Sequence, residues 1–168
     1  MTSQLTGTAS FISSENIFAH WQGHRRLTRK TIEAFPEDLL FTYSIGGMRP
    51  FAAMVQELID LADDGMKGVV TGKWAAMEDL AHCIPGASIQ TKDDLLKEWD
   101  AVTEKLNAIW PLIGPDKFAE SMKAFGLYEA SGADIILYWI DNEIHHRAQG
   151  FVYLRSAGIT PPAFYDRY

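Results

Sequence analysis

Residues 131–158 read SGADIILYWIDNEIHHRAQGFVYLRSAG, and this stretch decides the fold. Ser131 is placed to cap a helix, Asp134 sits three positions on beside its positive end, and Gly158 is placed to finish it. Between them Ile135, Tyr138, Trp139, Asn142, His146, Gln149, Val152 and Tyr153 recur at helical spacing. A helix from Asp134 to Ala157 would be about 36 Å long, the length of a full bundle helix.

Three more helical patterns lie upstream. One runs from about Ser14 to Phe35, capped by Ser13 or Ser14, with Ile17, Trp21, His24, Leu27, Thr31 and Phe35 facing inward and Pro36 stopping it. Leu39 to Met48 reads as an irregular connection. A second helix starts at Pro50, carries Met54, Glu57, Leu58 and Leu61, and is expected to end at Asp63-Asp64-Gly65. Gly65 to Gln90 reads as loop with a short helix at Trp74, Met77 and Leu80. A third long helix begins near Thr91, with Leu95, Leu96, Trp99, Val102, Leu106 and Ile109 as its stripe, and ends before Pro111. Phe118 to Tyr128 fits either a helix or an extended connector. No strand-like alternation of comparable strength and no repeat is visible. The expected fold is all-α, a four-helix bundle with a long middle connection.

Composition bounds the function. The 168 residues are 47% apolar, enough for one domain over residues 1–168 with a substantial core. Fifteen Lys and Arg against 22 Asp and Glu leave a net charge of −7, which argues against broad nucleic-acid binding. The best basic cluster, Arg25, Arg26, Arg29 and Lys30, is followed by Glu33, Glu37 and Asp38 and reads as a solvated helix face. No apolar run is long enough to span a membrane, and Met1–Ser10 lacks the pattern of a secretory signal. The single cysteine, Cys83, allows no internal disulfide, so a soluble, cytoplasmic protein is expected.

Polar residues on the inward stripes mark a candidate site. Glu57 lies among Met54, Leu58 and Leu61, while Asn142 and His146 stand at i and i+4 and share a face. A carboxylate, an amide oxygen and an imidazole from two helices suit a divalent cation such as Zn²⁺, Ni²⁺, Mn²⁺ or Fe²⁺, with positions left open for water or substrate. The same three residues also suit a buried hydrogen-bond network, with Glu57 accepting from His146 or Arg147. His20 and His24 are likewise i,i+4, but no third ligand accompanies them. Glu143 reaches the site only from an adjacent face, and His145 points about 100° away from His146, behind the site or at an interface. His82 and Cys83 lack the partners a zinc site needs. There is no phosphate-cradling loop and no Gly-x-Ser-x-Gly elbow.

The run Asp141-Asn142-Glu143-Ile144-His145-His146-Arg147-Ala148-Gln149, followed by Val152-Tyr153-Leu154-Arg155 and Gly158-Ile159-Thr160-Pro161-Pro162, resembles the DinB-like superfamily of damage-inducible four-helix proteins. Phe41 to Pro50, and His20-Trp21 through Thr28, carry the resemblance over most of the chain. It implies a bundle that commonly dimerises, with a three-histidine metal site of one ligand from the second helix and two from the last. Here those positions fall on Glu57, Asn142 and His146, so two of the three histidines are replaced. Some relatives are S-transferases or isomerases using a low-molecular-weight thiol.

The resemblance thus implies a stress-associated, metal-dependent enzyme of small-molecule transfer or hydrolysis. Its metal would lower the pKa of a water or thiol, Trp21, Tyr43 and Trp139 would wall the pocket, and Arg147 would hold an anionic group. The alternative is a non-enzymatic stress-associated binding protein whose metal site has degenerated. A small-molecule substrate and a homodimer, without nucleic acid or membrane, complete the expectation.

Overall fold

A computed structural model describes residues 12–168, and the Met1–Ser10 segment lies outside them. The four long patterns are helices α1 (Ser14–Ala34), α3 (Phe51–Thr71), α4 (Lys92–Ile109) and α6 (Gly132–Ser156), with short helices α2 (Glu37–Thr42) and α5 (Pro115–Ala119) in the connections. Local chemistry sets most of the ends. The side chains of Ser13, Thr91 and Ser131 accept from the backbone N–H groups of Asn16, Asp94 and Asp134, satisfying donors that the first helical turn leaves free. Gly158, at φ 78°, closes α6: its N–H reaches the Arg155 carbonyl and the Ile159 N–H reaches that of Leu154.

Helix α1 packs on α4 and α6, and α3 packs on the same two helices, which closes a four-helix bundle. Its core takes Trp21, Leu27 and Ile32 from α1, Val55, Ile59 and Met66 from α3, Leu95, Trp99 and Val102 from α4, and Ile135, Trp139 and Leu154 from α6. Burying each such side chain stabilises the fold by about 1.5–3 kcal/mol before conformational entropy is set against it. No helix among the described residues is long and apolar enough to cross a membrane.

The connections differ from expectation in two places, and a third takes the extended form of an open alternative. Helix α3 does not stop at Asp63-Asp64-Gly65 but continues to Thr71, where Gly72 takes a left-handed conformation. Asp63 and Asp64 are held within the helix by Lys67 at 3.0 and 3.1 Å, and Lys105 of α4 reaches Asp63 at 2.7 Å. Gly65 and Gly68 are not breakers, since the rings of Trp139 and Trp74 occupy the space their side chains would need. Part of the Leu39–Met48 connection is the helical turn α2. The segment after α5 is a hairpin of β1 (Ser121–Ala124) and β2 (Tyr128–Ser131), antiparallel with Ser121 opposite Ser131. Its turn places both Phe125 and Gly126 at positive φ.

At the surface, Tyr138 and Val152 of the α6 pattern are exposed. The basic cluster is solvated only in part: Arg26 is exposed and Arg29 and Lys30 are partly so, but Arg25 is buried, its guanidinium 3.9 Å from the ring centre of Trp99 and its Nε donating to Thr103 at 2.8 Å. Burial pushes its pKa down to about 10, against the opposing pull of Glu143 and Asp100. Arg29 pairs with Asp100 and Glu33, while Arg26 and Lys30 fasten the last residues of the chain through the Arg167 carbonyl and Asp166.

Candidate functional site

Helices α3 and α6 meet at two levels where a glycine faces an aromatic ring. A Cβ on Gly65 would fall 2.5 Å from Trp139 Cη2, and one on Gly150 would fall 2.6 Å from Phe51 Cε2. Between these levels Glu57 of α3 meets Asn142 and His146 of α6. Glu57 Oε1 accepts from Asn142 Nδ2 at 3.0 Å and lies 3.3 Å from His146 Nε2. Its Oε2 pairs with Arg49 Nη2 at 2.5 Å. Tyr153 steadies that arginine by donating its hydroxyl to the Arg49 carbonyl at 2.9 Å.

Burial raises the Glu57 pKa, but the bonds from His146, Asn142 and Arg49 outweigh it and hold the carboxyl well below the usual range. Glu57 is therefore an anion at neutral pH. The far side of His146 is anchored as well: Nδ1 is 2.9 Å from Gln149 Oε1, and Gln149 Nε2 is 3.2 Å from His145 Nε2. The Gln149 amide donates to His145 and so presents its oxygen to His146, which places the proton on Nδ1. Nε2 is then the nitrogen that faces Glu57.

The three expected residues thus form one hydrogen-bonded set, joined by Arg49 and Gln149, which the spacing argument did not include. Gln149 lay in the helical pattern and in the quoted motif, so a signal for it existed. Arg49 sits in a loop, where no periodicity reports direction. Among the described residues no group of three or more His, Cys, Asp and Glu side chains is placed to hold a metal ion, so a centre here depends on the Asn142 amide.

Other candidates go elsewhere. Glu143 turns to α1, accepting from Trp21 Nε1 at 2.9 Å and from the Thr28 hydroxyl at 2.7 Å. Trp21 and Trp139 are core residues, the latter donating to Tyr128, and Tyr43 contacts Ser156 and Tyr153. His82 is taken by Asp60, 2.7 Å from its Nδ1, and His145 is exposed beside the site. Burial together with the Asp60 and Glu57 carboxylates pushes the Cys83 thiol pKa up.

His20 and His24 do meet, Nε2 to Nε2 at 3.1 Å, but Arg147 lies 2.9 Å and Arg167 3.4 Å from His24, a cationic setting that disfavours a metal. Burial, then Arg147, Arg167 and His20, push the His24 pKa down to about 3. The unfolded chain takes up a proton near pH 6.5 that the folded chain refuses. Stability is therefore full above about pH 6.5 and declines as the pH falls from there toward about 3. Urea midpoints for the parent and His24→Gln across this range would show it, the variant having the shallower decline. Equal slopes would remove His24 as the cause.

A protein-family model described as the DinB family matches residues 1–168. Among solved structures, the chain is similar to a DinB-like protein from Bacillus cereus ATCC 10987, with a TM-score of 0.70 and 16% identity over 90% of this chain and 97% of that one. It is also similar to a DinB-like protein from Bacillus subtilis, with a TM-score of 0.68 and 23% identity over 89% and 96% of the respective chains. No curated protein matches it.

Proposed function

The chain belongs to the DinB family, and on that premise we propose that Glu57, Asn142 and His146 form a divalent-cation centre serving transfer or hydrolysis of a small molecule. The observation that carries this is the facing of His146 Nε2 and Glu57 Oε1 at 3.3 Å while Nδ1 bonds to Gln149. A divalent ion bound here would replace the hydrogen bonds that His146 and Asn142 make to Glu57 Oε1. The donor set fits such an ion: a carboxylate oxygen, an imidazole nitrogen fixed from behind, and an amide that offers its oxygen when turned over. A bound ion would supply Lewis acidity, lowering the pKa of a water or a low-molecular-weight thiol.

The chain's own residues do the rest. Gln149 locks the imidazole tautomer, and Arg49 holds the second carboxylate oxygen and leaves a positive charge at the edge for an anionic reactant. On the same proposal the ion is Zn²⁺, Ni²⁺, Mn²⁺ or Fe²⁺, and the protein works as a stress-associated cytoplasmic homodimer.

Elemental analysis of protein purified without added metal tests the centre. The parent should carry a stoichiometric divalent ion, His146→Ala should lose it, and Gln149→Ala should bind it about 10- to 100-fold more weakly. Equal content in parent and His146→Ala defeats the proposal. Absence of metal from both favours the other reading, a binding protein in which Arg49 and Asn142 close the network around Glu57.

A further inference from the structure

On the α1 side of α6, away from Glu57, lies a cavity of about 350 Å³ lined by His20, His24, Arg147, Phe151, Phe164 and Arg167. Its polar side is short of acceptors. Arg147 is buried, with Nη2 2.9 Å from His24 Nδ1 and Nη1 3.2 Å from the Thr28 hydroxyl. His24 therefore accepts at Nδ1 and carries its proton on Nε2, which points at His20 Nε2 at 3.1 Å.

That assignment leaves Arg167 stranded. Its Nη1 lies 3.4 Å from His24 Nε2, where donor meets donor. Its Nε is buried without a hydrogen-bond partner, and among the described residues no carboxylate pairs with it. Glu143, 4.0 Å from Arg147, already accepts from Trp21 and Thr28, and the Asp166 carboxylate is paired with Lys30 at 2.8 Å. The arginine is nevertheless held in place: its stem runs over Gly23, whose Cβ would sit 3.4 Å from Arg167 Cβ, and Arg26 binds its carbonyl at 2.7 Å. Two guanidinium groups, one acceptor-starved, thus border a cavity whose remaining wall includes two phenyl rings.

We propose that this cavity binds a small organic anion, its carboxylate or phosphate head on Arg167 and Arg147 and its hydrocarbon part against Phe151 and Phe164. Guanidinium groups match planar or tetrahedral oxyanions through paired N–H donors. The exposed Phe164 and the apolar cavity wall give the rest of such a ligand a place out of water. The site is independent of the α3–α6 centre, since Arg147 and His146 lie about 100° apart around α6.

Calorimetric titration of the full chain with benzoate, phenyl phosphate and inorganic phosphate tests it. One of the two aromatic anions should bind saturably and more tightly than inorganic phosphate, and which one does so distinguishes a carboxylate head from a phosphate ester. Arg167→Gln should weaken that binding about tenfold or more, the loss expected for charge-assisted hydrogen bonds, and Arg167→Lys should restore part of it. Arg167→Gln breaks no ion pair and is expected to keep the parent's melting temperature, so a folding defect is separable. Absence of binding by both aromatic anions, unchanged affinity in Arg167→Gln, or equal affinity for inorganic phosphate would each overturn the proposal.

Discussion

Glu143→Ala is expected to destabilise the protein by about 3–5 kcal/mol, the usual consequence of removing one partner from a buried charged network. Glu143 is 2% exposed and accepts from Trp21 Nε1 and the Thr28 hydroxyl, while Arg147 stands 4.0 Å away and Arg25 is also buried nearby. Its loss strips two neutral donors of their acceptor, leaves buried Arg147 without its nearest carboxylate and leaves buried Arg25 with Asp100 alone. Thermal unfolding should move down by roughly 10 °C or more for a chain of this size. Glu143→Gln keeps an acceptor oxygen but no charge and should fall between the two. A change below about 1 kcal/mol in the alanine variant would show that water enters and replaces the carboxylate.

The second large effect runs against helix propensity. Exposed glycines inside helices gain about 1 kcal/mol when replaced by alanine. Gly65→Ala and Gly150→Ala should instead each destabilise by about 2 kcal/mol, because the added methyl meets the Trp139 and Phe51 rings 2.5 and 2.6 Å away. Neither ring has room to yield: Trp139 is bonded to Tyr128, and Phe51 is stacked on Phe35 with centroids 4.9 Å apart. The two sites share no partner, so the double variant should lose about 4 kcal/mol. Chemical denaturation of the three variants, with Trp139→Leu added to Gly65→Ala as a relief, measures this. Stabilisation by either alanine would mean that α3 and α6 are not held at this distance.

What the sequence revealed follows the range of the interactions involved. The caps at Ser13, Thr91 and Ser131 are legible because a hydroxyl and an amide three residues away make the whole device. The end of α3 is not, because the ring that fills the space beside Gly65 belongs to Trp139, 74 residues on in α6. Arg25 looks solvated until its partner on α4 is known, the Trp99 carbonyl 74 residues away. The hairpin escapes periodicity because each strand has four residues, of which only Met122 and Ala124 on β1 are buried. At the candidate site, the i,i+4 spacing and the family resemblance identify Glu57, Asn142 and His146 together. Neither says that Arg49 closes on the carboxylate, since a loop arginine has no face to read.

The glycine–ring contacts that draw α3 and α6 together lie outside the group of polar side chains between them. Backbone spacing and donor chemistry are therefore separable properties of this bundle. Exchange of the residues at 57 and 142, histidine included, is expected to leave the helix spacing unchanged. On that expectation the pair is a socket of fixed gauge, filled according to the side chains placed in it.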